Sequence, residues 1–141
     1  MRITVENRTP ELLAKTEQKL NRWVRAAAAL VESNVKVRMA EPKSGRAYTR
    51  GRSVNNPGGF SVHVASAPGE APAVDTGTLI GSIQMVQEST LTAKVGTAVE
   101  YALYLELGTS RMRPRPVWKP TVDDLLPTLN ALLQSELSQL K

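Results

Sequence analysis

The sequence predicts an α+β domain: a small antiparallel sheet with a long hairpin loop, packed by an N-terminal and a C-terminal helix. Three observations lead there. Apolar residues recur at helical spacing near both ends, they alternate with period two in the middle, and Gly- and Pro-rich stretches separate these segments. A chain of 141 residues suits one domain, 1–141, with a loop projecting at 40–59, and is long enough to bury a core without covalent staples.

Residues 3–5, Ile-Thr-Val, read as a short edge strand. Thr9, Pro10 and Glu11 then mark a helix start. Thr9 can cap, Pro10 needs no N–H in the first turn, and Glu11 faces the positive end of the helix dipole. Leu13, Leu20, Trp23, Val24, Ala27, Leu30 and Val31 continue at helical spacing, so the helix is expected over about 10 to 33. At 35–39 the pattern switches to period two, with Val35, Val37 and Met39 on one face, which predicts a half-buried strand.

Residues 40–59 show no periodicity and form the expected tip of a hairpin that begins at Val35 and returns at 60–65, where Phe60, Val62 and Val64 share a side. After an irregular stretch, Asp75 or Thr76 is expected to cap a short helix over 78–83. Residues 83–87 and 92–97 read as two antiparallel strands, and 99–107 as a helix that Gly108 stops in a left-handed conformation. The last helix starts near Pro116–Pro120 and carries a leucine stripe from Val122 to Leu140, with Pro127 expected to kink or split it.

Charge is uneven. Lys36, Arg38, Lys43, Arg46, Arg50 and Arg52 stand against Glu41 alone, and Arg111, Arg113, Arg115 and Lys119 against no acid, while the formal net charge is only +5. The basic stretches read as loops and the helices as mixed or acidic, a distribution suited to a polyanion or an acidic protein surface. Cysteine is absent, which excludes disulfides and thiolate metal sites and suggests a reducing compartment. The first residues lack the apolar run of a signal peptide, and no window approaches the roughly 20 apolar residues that span a bilayer, so no membrane association is expected.

His63 is the sole histidine, so His-rich metal sites are excluded and any Ser-His-Asp arrangement depends on a residue in a strand-like alternation. Ser66 and Asp75 are near it in sequence, but Ser66 lacks the Gly-x-Ser-x-Gly elbow, and no glycine segment ends in the Gly-Lys-Ser/Thr of a phosphate loop. Asp123 and Asp124 read as dipole compensation in a first helical turn. No catalytic residue, metal or cofactor is expected, and the chain is not read as an enzyme. Arg46, Tyr48, Arg50 and Arg52 interleave an aromatic ring with guanidiniums, which keeps a basic nucleic-acid-binding module as the alternative function. Aromatic residues make up only 4%, and no helix-turn-helix, RNA-recognition or zinc-finger signature supports it.

Three blocks in order, "SGRAYTRG", "ASAPGEAPAVDTGTLIGSI" and "AKVGTAVEYALYLELGTSRMRPRPVWKPTVDD", cover about residues 44–124. Together they resemble the minor tail-component, or neck, proteins of long-tailed bacteriophages, which help join the DNA-filled head to the tail. The pattern is carried here by Asp75, Thr76, Gly77, Leu79, Ser82 and Ile83, then Val95 and Gly96, then Tyr101, Ala102, Glu106, Gly108 and Thr109, then Arg115 and Pro116. Leu107 departs from it, since an aromatic is more usual there, and so does the order Val117-Trp118.

The resemblance implies a structural virion component in the neck or tail, assembled in the bacterial host cytoplasm. It implies a closed ring of identical subunits, a hexamer, around the DNA channel. Head-closure proteins and tail-terminator or tail-tube proteins would adjoin the ring, and DNA would pass without sequence-specific binding. In a ring the contacts are heterologous, and projecting loops extend them. On that reading Arg46, Tyr48, Arg50 and Arg52 of the hairpin, and Arg111, Arg113 and Arg115 held extended by the prolines, are interface residues. Asp75, Thr76, Gly77, Tyr101, Glu106, Gly108, Thr109 and Pro116 form the structural motif. An ion pair with Glu106 is the competing expectation for Arg115, and Tyr101 and Tyr104 are expected in the core or at its edge.

Overall fold

The computed structural model describes residues 9–51 and 59–139. The strand expected at 3–5 and the expected interface residue Arg52 lie outside them. The fold is α+β, with the order α1 (Thr9–Ala40), β1 (Ala47–Arg50), β2 (Ser61–Val64), α2 (Thr78–Ser82), β3 (Gln84–Ser89), β4 (Thr92–Gly96), α3 (Tyr101–Leu107) and α4 (Trp118–Ser138).

The first helix is longer than expected, and the strand at 35–39 does not exist: α1 runs through it to Ala40. Over five residues the two periods cannot be told apart, because Val35 and Met39, four apart, share a helical face as well as a strand face. Both are buried, whereas Val37 is exposed at 58%, the outcome a helix gives and a strand does not. Lys36 pairs with Glu32 one turn back at 2.6 Å, and the Glu32 carboxylate also accepts the Met85 N–H at 2.9 Å, which pins β3 to the helix. The Lys36 contact, ahead of the Met85 one, holds Glu32 below its ordinary carboxylate value. Lys36 and Arg38 are therefore helix cations rather than loop cations; Arg38 forms an ion pair with Asp124 on α4. At the end of α1, Lys43 Nζ donates to the Arg38 carbonyl at 2.8 Å, a cation placed where the helix dipole favours it.

The four strands make two separate antiparallel ribbons, β1–β2 and β3–β4. The second lies on α1, and α4 lies along α1, where Trp23 Nε1–H donates to the Leu129 carbonyl at 3.1 Å. Val35, Met39, Ala71, Ile83 and Val117 form the buried centre, with Val31, Leu79, Ile80, Val95 and Trp118 packed around it. Pro127 does not split α4, which continues on both sides of it. Asp123 and Asp124 fall beyond the first turn of α4 and serve Lys119 and Arg38 instead of the dipole.

Among the described residues the β1–β2 ribbon packs closely against no other element. It starts at Ala47 rather than Val35, so the hairpin is shorter than the sequence suggests, and Ala47–Arg50 is strand within a stretch read as loop. Its base is tied by Gly45 N–H to the Ala65 carbonyl and Ala65 N–H to the Arg46 carbonyl, both at 3.0 Å. A Cβ on Gly45 would fall 2.3 Å from that Ala65 oxygen, so only glycine permits the approach.

Candidate functional site

The residues singled out from sequence occupy three regions, the ribbon, the segment before α2 and the α3–connector segment, and all three contribute to one cleft. In the ribbon, Ala47 pairs with Val64, Tyr48 with His63 and Thr49 with Val62. Directly opposed residues share a face, so Val62 and Val64 lie with Thr49 and Ala47 on one side, while Tyr48 and His63 lie on the other. The first side is uncovered: Phe60 is 78% and Val62 66% exposed. On the other side the Arg46 guanidinium sits 5.3 Å from the centre of the exposed Tyr48 ring, within cation–π range. Arg50 ends β1.

Glu70 clasps the base of this ribbon. Its carboxylate accepts the Ser44 hydroxyl, the Ala67 N–H at 2.8 Å and the Ser44 N–H at 3.2 Å, joining the chain just before β1 to the chain just after β2. The Ser44 hydroxyl, followed by the two N–H groups, holds the carboxyl below its ordinary value of 4.5. Nothing in the sequence marked Glu70 beyond its being the acid of a Pro/Gly-rich loop.

The α3 segment has two unlike sides. Ala102 is buried and Leu105 and Glu106 half-buried, whereas Leu103 at 60% and Leu107 at 68% are exposed with Tyr101 and Tyr104. The tyrosines are thus surface residues and not core. Gly108 ends the helix at φ 76°, with its N–H on the Tyr104 carbonyl at 2.9 Å. A Cβ there would meet the Met112 carbonyl at 2.8 Å and the Pro114 ring at 2.9 Å, because the chain folds straight back. Thr109 builds that turn: its N–H donates to the Met112 carbonyl at 2.8 Å, and its hydroxyl oxygen accepts the N–H groups of Arg111 and Met112.

Arg111 therefore sits in a tight turn and is not part of an extended row. Only Arg113 and Arg115 are followed directly by proline. Arg111 and Arg113 are exposed, while Arg115 and Pro116 are half-buried.

The expected Arg115–Glu106 pair is replaced by a different contact. Glu106 accepts the N–H groups of Val117 at 2.7 Å, Trp118 at 3.2 Å and Lys119 at 3.0 Å. Those donors open α4 and have no partner inside it, so a carboxylate from α3 caps α4 from outside. Lys119 turns instead to Asp123 at 2.7 Å, and that contact raises its ammonium above the ordinary value.

Asp75, Thr76 and Gly77 precede α2. Gly77 takes φ 82°, and the Thr76 and Thr78 hydroxyls bond at 2.8 Å. Asp75 Oδ1 lies 4.0 Å from His63 Nδ1, and Ser66 is buried. Asp75, His63, Ser66, Tyr101 and Arg115 all line a cleft of about 270 Å3, the place where ribbon and connector come together. Among the described residues no cluster of three or more His, Asp or Glu could hold a metal, and no helix is long and apolar enough to cross a membrane. Comparison with protein-family models, curated proteins and solved structures finds no match.

Proposed function

We propose that the chain is a structural, non-catalytic component of a bacteriophage head–tail connector, forming a ring of identical subunits, six in number, around the DNA channel. The observation that supports this reading is a surplus of uncovered apolar surface in two separate places: the outer side of the β1–β2 ribbon at Phe60 and Val62, and the outer side of α3 at Leu103 and Leu107. Exposed apolar patches of this kind mark contact surfaces, and two different patches on one chain suit the heterologous contacts from which rings close. The three sequence blocks in the order of the neck-protein pattern support the same reading. Adjoining head-closure and tail-terminator or tail-tube proteins supply the remaining contacts, and DNA slides through without sequence-specific binding.

Deleting the coding sequence from the phage or prophage that carries it tests this. The expected result is separate filled heads and tails; normal infectious particles would remove the proposal.

Exposed Arg46, Arg111 and Arg113, free of ion pairs among the described residues, favour the basic nucleic-acid-binding module as a second reading. That reading requires duplex DNA affinity that falls steeply with salt. Absence of binding at low salt rules it out.

A further inference from the structure

The ribbon and the α3 segment carry opposite charge. From 42 to 69 the chain holds Lys43, Arg46, Arg50 and Arg52 and no Asp or Glu. The α3 side is the reverse. A groove of about 690 Å3 lies along it, with Val99, Leu103, Tyr104 and Trp118 for its apolar wall, and among the described residues its lining includes Glu100 and Glu106 but no Lys or Arg. Glu106 is engaged with the N–H groups of α4, and Lys119, next to Trp118 in the chain, with Asp123. Glu100 is exposed and forms no ion pair among the described residues. Both surfaces are also open and apolar, the ribbon at Phe60 and Val62 and the groove at Leu103 and Tyr104. Opposite charge beside exposed apolar area is what steers and orients two protein faces toward each other.

Within one copy the two surfaces do not cover each other: among the described residues the ribbon packs closely against no other element, and Glu70 clasps its base. The register turns Val62 to one side of the ribbon and Tyr48 to the other. A ribbon seated in a groove therefore sets its apolar side on the wall and leaves Arg46, on the Tyr48 side, toward the rim. A second groove of about 440 Å3, between α1, β4 and α4, is lined by no charged residue and offers the ribbon's cations nothing. We propose that the β1–β2 ribbon of one copy docks in the α3 groove of the next, with Phe60 and Val62 against Val99, Leu103 and Tyr104 and the ribbon's cations facing Glu100. The inference rests on the ring reading and deepens it: ribbon and groove are different surfaces, so the contact is head-to-tail. With four residues in each strand, the ribbon falls well short of the roughly 20–30 residues a side of a stable interface. One such contact is weak alone and persists in the assembled ring.

The test is made in assembled particles, where a chain without cysteine allows selective cross-linking. Particles are built with the double variant Phe60→Cys/Leu103→Cys, treated with a short bismaleimide, denatured and run on a gel. A ladder of covalent multimers running past the dimer is expected, because a head-to-tail contact links each copy to two others. Neither single variant should give a dimer. The pair Phe60→Cys/Leu91→Cys, whose second thiol lies at the groove between α1, β4 and α4, should give no ladder. Particles in which the Phe60/Leu103 pair gives no ladder overturn the docking and leave the ring reading intact. A ladder from the Phe60/Leu91 pair, or a cross-link from Phe60→Cys to a different protein, overturns it as well. Normal particles after deletion of the coding sequence would instead remove the ring reading. Should the double variant fail to assemble, charge reversal decides. Glu100→Lys and Arg46→Glu/Arg50→Glu should each lower infectious titre about tenfold or more, and their combination should restore it to within about threefold. Unchanged titre in Glu100→Lys, or no restoration in the combination, overturns the proposal.

Discussion

The α1–β3–β4–α4 body buries a shared apolar centre, whereas the β1–β2 ribbon and α3 turn most of their large apolar residues outward. In the body, Val35, Met39, Ile83 and Val117 are buried against one another, and at two junctions a carboxylate takes up a backbone N–H, Glu32 that of Met85 and Glu106 those at the start of α4. In the outward pair, Phe60, Val62, Leu103 and Leu107 lie open. A two-stranded ribbon alone is marginal in water, and this one is held mainly at its base by Glu70 and the Gly45–Ala65 bond. The difference teaches that stability and contact are assigned to different residues, so each can be disturbed without the other.

The largest expected effect tests that division at its extremes. Ile83→Ala removes a fully buried side chain and should lower unfolding free energy in urea by about 2–5 kcal/mol. Phe60→Ala should change it by no more than about 0.5 kcal/mol while weakening assembly; comparable losses from both would dissolve the comparison. Gly108→Ala comes next, at roughly 1–3 kcal/mol by thermal unfolding, because it forces a side chain into a left-handed conformation and against Met112 and Pro114. Glu106→Ala strips the acceptor from three N–H groups of α4 and should cost about 1–2 kcal/mol, with lost helical circular dichroism as the signature.

The smallest effect concerns pH. Because the folded chain holds the Glu70 carboxyl below 4.5, the unfolded chain takes up that proton first on acidification. Its contribution is whole above the unfolded value and fades as pH falls through the lower folded one. Hydrogen exchange of the β1–β2 amides, corrected for intrinsic rate, should therefore rise as pH drops below about 4.5, and Glu70→Gln should flatten that dependence.

Much of the body was legible where a signal is long or bracketed. The stripe of α4 persists over enough turns to fix the period, the two short strands stand on either side of a break at 88–91, and Gly108 announces the end of α3. Five residues at 35–39 are too few, and there the continuing helix overrode the β-branched preference of Val35 and Val37.

The candidate site was less legible. Residues of the motif are present where the sequence placed them, but their partners are set by folding distance: Glu106 meets orphan N–H groups eleven to thirteen residues on, not the arginine nearer in sequence. Spacing also cannot tell which side of a short apolar helix is covered, so Tyr101 and Tyr104 read as core or core-edge residues although both are exposed. The clasp made by Glu70 leaves no sequence trace at all, since it depends on what lies across a loop.

The central claim is that the open faces of the ribbon and α3 become covered in the assembled particle. The chain has no cysteine, so Phe60→Cys and Leu107→Cys each introduce a single reporter thiol. Maleimide labelling of each, in the free subunit and in assembled particles, reads the claim directly. The account predicts rapid labelling of both in the free subunit and protection of both after assembly; equal labelling in the two states would contradict it.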